Sequence, residues 1–314
     1  MKMTLIPVAL AGVTALAACA GPLQKEQVSA DARWLLHLDV EAGLRTQLGG
    51  YIGSNIVAEK LFNPLAELKD NFGVELDWRK FQSFTAYGTD YESRADDTGV
   101  LIIKSSQDIP AMLDKVMTKL EDASGVGSAA LKRKKSGGQT FYSLNGDAHG
   151  AAGRGGVFVM SKSRARVEKA LEVLDGKGST LATAKTFAGF PPVPASFFFV
   201  GLAEGFNSAA ALPPQARVFK NSNGGQLSLG EKSGQVMLQL SLSAKDAEAT
   251  AQIQQVFQGL LALATLSQDK NKELAELAQA VKVSTNSTFV NVSVQVSATN
   301  VIAKVREGMR KLGQ

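Results

Sequence analysis

The 314-residue sequence has a single cysteine, Cys19, and only two histidines, His37 and His149. With no cysteine after position 19, the body of the chain has no disulfide, no thiol nucleophile and no cysteine-based metal cage. A catalytic triad or a metal site would have to recruit one of two isolated histidines. Neither Gly-x-Ser-x-Gly nor His-Glu-x-x-His occurs. Charge of one sign is scarce as well: 34 Lys+Arg stand against 29 Asp+Glu, for a net +5, and loss of a leader containing Lys2 would leave +4. So small an excess, with no aromatic residues interleaved among the cations, argues against nucleic acid. Beyond the first 18 residues no segment reads as a spanning helix of about 20 apolar residues.

What is present first is a leader. Met1-Lys2 opens it, and Met3 to Ala18 carry no charge, with Leu5, Ile6, Val8, Leu10, Val13 and Leu16 forming an apolar region. This reads as an export signal, short for a membrane span. Leu16-Ala17-Ala18-Cys19 resembles the lipobox of bacterial lipoprotein signal peptides, which implies cleavage before Cys19 and its acylation. Ala20 in place of Asp after that cysteine implies, on the same resemblance, the outer membrane. Two alternatives stay open: ordinary cleavage after Ala17 or Ala20, giving a soluble periplasmic or secreted protein, and an uncleaved chain. Residues 19–30 then serve as a lipidated tether.

The remaining chain, 45% hydrophobic and 20% charged, is long enough to bury a full core. Period-2 patterning predicts a first strand at Arg33–Val40 with Trp34, Leu36, Leu38 and Val40 on its apolar face. A helical region follows over 44–71, interrupted near Asn63-Pro64. Strands are predicted at Phe81–Gly88 and Gly99–Lys104, then a helix capped by Asp108. A hairpin about Ser136-Gly137-Gly138, a strand at Val157–Met160 and a helix at Ser163–Leu174 close this half, 31–175. After the Pro-rich stretch within 176–195, the segment 196–314 runs similarly. Its predicted strands begin at Phe197, Gln226 and Val236. A long helix opened by Ser243 and Asp246 buries Ile253, Val256, Leu260 and Leu263 on one stripe. A helix at 271–280, a hairpin about Asn286-Ser287 and a terminal helix end the chain. The expected class is α+β: largely antiparallel sheet with amphipathic helices packed on one face, as two diverged tandem repeats.

Several side-chain groups merit a functional reading. His37 and Asp39 lie two apart on one strand, hence on one face, where they can share a proton; with His149 they form the one candidate polar site. Asn145–Gly156 is glycine-rich, but it precedes a strand and lacks the Gly-Lys-Ser/Thr ending of a phosphate loop, so a mobile loop is expected. Ser267-Gln268-Asp269-Lys270 has the Ser-x-x-Lys spacing, yet it falls between helices, where Ser and Asp act as caps. Lys132, Arg133, Lys134 and Lys135 are the densest basic cluster, suited either to a polyanion or to keeping a hairpin edge unpaired. No metal or cofactor is implied.

The Trp34-x-x-His37-x-Asp39 strand, Thr85-Ala86-Tyr87-Gly88, Ala170–Gly176 and Gln258–Leu263 together resemble a broad group of uncharacterised exported bacterial proteins, over about 30 to 312. The group has no assigned reaction. The resulting expectation is a lipid-anchored cell-envelope protein with a non-enzymatic binding or scaffolding role. Its partners would be the membrane and either an anionic envelope polymer or another envelope protein. The alternative is a soluble hydrolase-like enzyme working near His37 and Asp39.

Overall fold

The computed structural model describes residues 22–91, 98–124, 131–205, 222–266 and 272–312. Cys19 and the leader, the Ser267–Lys270 spacing and the ends of the chain lie outside these residues. The elements follow the punctuation of the sequence. Strand β1 (Trp34–Asp39) runs into the short helices α1 (Val40–Leu44) and α2 (Gln47–Tyr51). A π-helical stretch, Ile52–Val57, joins these to α3 (Ala58–Phe72). Helix α3 continues through Pro64, where a break was expected, and ends at Gly73 in the left-handed conformation. β2 (Phe81–Gly88), β3 (Val100–Ser105) and α4 (Ile109–Ser124) follow, and the Asp108 carboxylate accepts the Ala111 N–H at 3.0 Å as the sequence suggests. Strands β4 (Leu131–Ser136), β5 (Gln139–Leu144), β6 (Ala148–Ala152) and β7 (Val157–Ser161) lead into α5 (Arg164–Leu174).

The second half comprises β8 (Phe197–Glu204), β9 (Ser222–Lys232), β10 (Gln235–Ala244), α6 (Ala247–Leu266), α7 (Lys272–Ala280), β11 (Val281–Asn286), β12 (Phe289–Ser297) and α8 (Ala298–Leu312). All twelve strands form one sheet, ordered β11-β12-β10-β9-β8-β1-β2-β3-β7-β6-β5-β4, and every pairing is antiparallel. The class is α+β. Outward from the centre, the orders β1-β2-β3-β7-β6 and β8-β9-β10-β12-β11 correspond position by position, and the first half adds the β4–β5 hairpin at its edge. The halves meet where β1 pairs with β8, closed at one end by the Tyr91 hydroxyl, 2.6 and 2.8 Å from the carbonyls of Arg33 and Glu204.

Helices cover the sheet from both sides. On one face α4 packs over Phe158, Tyr142 and Leu131, α6 over Leu242 and Val290, and α2 with α8 over Val236. On the other, α5 places Val167 and Ala170 against Leu35, Val100, Ile102 and Val159. The same core takes Val28 and Ala32 from the segment before β1, and Leu181 and Phe187 from the connection between the halves.

That second layer reverses the expected orientation of β1. Leu35, His37 and Asp39 are buried, while Leu36 and Leu38 are 47% and 38% exposed. Period favours Trp34, Leu36 and Leu38 as the covered set, but the layer packed on the opposite face covers Leu35, His37 and Asp39 instead. The glycine-rich stretch also differs from a mobile loop: its middle is strand β6, paired on both sides with β5 and β7. Gly150 is required there, because a Cβ would come within 2.7 Å of the Phe158 ring.

Candidate functional site

His37 and Asp39 do share a face of β1, as their spacing demands, but the face is internal. His37 is 4% exposed and its Nδ1 lies 2.9 Å from Thr85 Oγ1 on the neighbouring strand. Asp39, 6% exposed, is the N-cap of α1, its Oδ1 accepting the Ala42 N–H at 2.8 Å. Burial pushes the Asp39 carboxyl above the usual carboxylate range; the Ala42 hydrogen bond pulls against this and the nearby Glu41 adds to it. Both side chains are therefore engaged in joining β1 to its neighbours, His37 to β2 and Asp39 to the first turn of α1. His149 sits on β6, four strands from β1 in the sheet, a separation of roughly 19 Å. The three candidate residues do not converge, and among the described residues no three metal-ligating side chains cluster.

Among the described residues, two solvent-open clefts stand out, and neither includes His37, Asp39 or His149. One, of about 780 Å³, lies between α3 and the segment around Trp78. Four of its five charged residues are paired, Lys69 with Glu75 at 3.4 Å and Arg79 with Asp77 at 2.9 Å, and Lys80 is the fifth. The other, of about 310 Å³, is formed by Ser105–Pro110 at the start of α4 and by Gly153 and Gly156 opposite. The glycine-rich stretch thus does border a cleft. The helix N-terminus facing it is already capped by the Asp108 carboxylate, which opposes an anion there.

The basic cluster occupies the outer edge of the sheet. All of β4 after Leu131 is exposed. Arg133 reaches back to Asp114 of α4 at 3.0 Å, and the Tyr142 hydroxyl donates to the same carboxylate at 3.3 Å. Lys132 and Lys134 point to the other face, beside Ser143 and Phe141.

The surface that departs most from an ordinary solvated exterior is apolar. Along α6, exposure rises from 0% at Ile253 to 36% at Val256, 53% at Leu260, 66% at Leu263 and 81% at Leu266. The expected buried stripe is out of phase: Ile253 is buried, but the half-buried positions that follow it are Phe257, Leu261 and Ala264, while Val256, Leu260 and Leu263 lie on the exposed side. The exposed run from Val256 to Leu266 spans about 15 Å along the helix. Neighbouring α7 buries Ala275 and Ala278 and exposes Leu274 and Leu277. Twenty residues from 249 to 268 carry no charge, and this was the sequence signal that a one-stripe reading passed over. No helix among the described residues is long and apolar enough to cross a membrane.

No family model matches the chain, and no curated protein does. Among solved structures it is similar to crystal form I of TP0453, at 13% identity over 90% of this chain and 97% of that one, with a TM-score of 0.45. Crystal form IV of TP0453 gives 12% identity over 91% and 96%, with a TM-score of 0.48. Likeness at this level says nothing of what the chain binds.

Proposed function

We propose that this chain is an exported, lipid-anchored cell-envelope protein with a binding role rather than a catalytic one, and that its exposed apolar α6–α7 corner lies in the interfacial layer of a lipid bilayer. The observation that carries the reading is the graded exposure of Val256, Leu260, Leu263 and Leu266 on a helix segment without charge. A large exposed apolar strip on a folded domain needs an occupant, and a bilayer interface accepts helix side chains to a depth of about 5–10 Å. The export leader and the Leu16–Cys19 lipobox pattern support the same assignment. The soluble-enzyme alternative has nothing comparable in its favour: its proposed site is sealed in the sheet and already bonded to Thr85 and the start of α1.

The test separates the two contacts. In cells, fatty-acid label and membrane retention are expected for the parent and lost in Cys19→Ala. In vitro, the unlipidated Cys19→Ala body is floated with phosphatidylcholine–phosphatidylglycerol vesicles. It is expected to float, while the further change Leu263→Asp with Leu266→Asp abolishes flotation without lowering Tm, because both side chains are exposed. Equal behaviour of the two bodies would overturn the α6–α7 contact, and release of the lipobox variant and the parent alike would overturn the anchor.

A further inference from the structure

The two edges of the sheet are built differently. Edge strand β11 carries one charged residue, Lys282, whereas β4 carries four in succession, Lys132 to Lys135. The β4–β5 hairpin turns in two residues, Gly137 and Gly138, both at positive φ, with Ser136 opposite Gln139. In such a hairpin the residues flanking the turn exchange both main-chain hydrogen bonds, and the pattern then alternates. Ser136, Lys134 and Lys132 are therefore bonded to β5, and Lys135, Arg133 and Leu131 turn their N–H and C=O groups outward. None of these three has a main-chain partner beyond β5 among the described residues. The side chains divide the opposite way. Arg133 is taken by Asp114 on one face. Lys132 and Lys134 stand on the other face without an ion pair among the described residues, next to Arg164, whose guanidinium lies 4.4 Å over the Phe141 ring.

We propose that β4 is a docking strand for an extended acidic segment of another polypeptide, which adds to the sheet as a thirteenth strand with carboxylates at alternate positions beside Lys132 and Lys134. Cations on an edge strand repel basic strands and are costly to desolvate against neutral ones, so the same residues that prevent indiscriminate pairing select an acidic one. The incoming strand gains main-chain hydrogen bonds from Leu131, Arg133 and Lys135, and opposite-charge pairs across the strands. The two-residue spacing of Lys132 and Lys134 requires alternation in the ligand, which simple attraction to a polyanion does not. This surface is independent of the α6–α7 corner: β4 and β11 lie at opposite ends of the sheet, eleven inter-strand spacings or roughly 50 Å apart.

The experiment uses the soluble Cys19→Ala body without vesicles, so that its outcome does not depend on the membrane reading. Two fluorescent peptides of one composition are compared, one alternating glutamate with threonine and valine, the other with its glutamates grouped at one end. The alternating peptide is expected to bind more tightly, to weaken with salt, and to slow hydrogen exchange at the amides of Leu131, Arg133 and Lys135. Lys132→Glu with Lys134→Glu is expected to weaken it about tenfold with Tm unchanged. Equal binding of the two peptides without amide protection would overturn the proposal in favour of general charge attraction. So would equal displacement by polyphosphate or by phosphatidylglycerol vesicles, which would make the ligand an anionic polymer or lipid, and so would no binding at all.

Discussion

Asp39 is buried because β1 ends there and α1 begins, and its carboxylate completes the first turn of that helix. Replacing it separates two effects. Asp39→Ala removes the cap and is expected to cost about 1 kcal/mol. Asp39→Asn keeps a capping oxygen and removes the buried charge, so its stability at neutral pH should equal or exceed that of the parent. The pH dependence has a definite sign. Burial raises the folded-state pKa above the unfolded value, so this group's contribution is complete below the ordinary carboxylate range and fades as pH rises through the raised value. Urea titrations across that range should show a smaller loss of stability with rising pH in Asp39→Asn than in the parent. A catalytic carboxylate open to substrate would have no such cap to lose. The shared face of His37 and Asp39 was legible from their spacing in sequence. Their enclosure was not, because the groups that enclose them come from distant stretches of the chain.

At the scale of elements, strands and turns were largely readable, since alternation and the turn residues mark them locally. Strand β6 escaped because Ala148, Gly150, Ala151 and Ala152 are too small to give an apolar alternation. They are small for a packing reason: the Phe158 ring lies across Gly150. Gly150→Ala is expected to destabilise by about 1–3 kcal/mol through overpacking. Some of that loss should return in a Gly150→Ala, Phe158→Leu double variant, and a double-mutant cycle by chemical denaturation measures the coupling. An additive result would mean that the ring yields and the close approach is unimportant. Helix α6 teaches a related lesson. It is apolar on more than one side, so periodicity alone did not show that Phe257, Leu261 and Ala264 turn inward while Val256, Leu260 and Leu263 stay exposed.

On the scale of the whole molecule, contacts cross between the halves. Leu181 and Phe187, from the connection between them, lie in the same core as Leu35 and Val167. In the other direction, α2 of the first half rests on the second: Leu48 packs with Val236 and Ala298, and the Glu231 carboxylate accepts the N–H groups of Gln47 and Leu48 at 3.0 and 2.9 Å. Either half produced alone would expose a long central strand, β1 or β8, as a raw edge. Neither is expected to melt cooperatively as a monomer, whereas co-expression should restore one transition seen alike by far-UV circular dichroism and by the fluorescence of Trp34 and Trp78. A cooperative melt from an isolated half would refute this interdependence. The sequence by itself determined the order and approximate limits of most elements and the antiparallel class, because period, caps and turn residues act over a few residues. Tertiary structure alone decided that Leu36 and Leu38 face outward while His37 and Asp39 are sealed, that Val256, Leu260 and Leu263 of α6 stay exposed, and that Lys132 to Lys135 form the free rim of a twelve-stranded sheet. Those outcomes depend on which distant segments cover which face, and alternation along one strand carries no information about those segments.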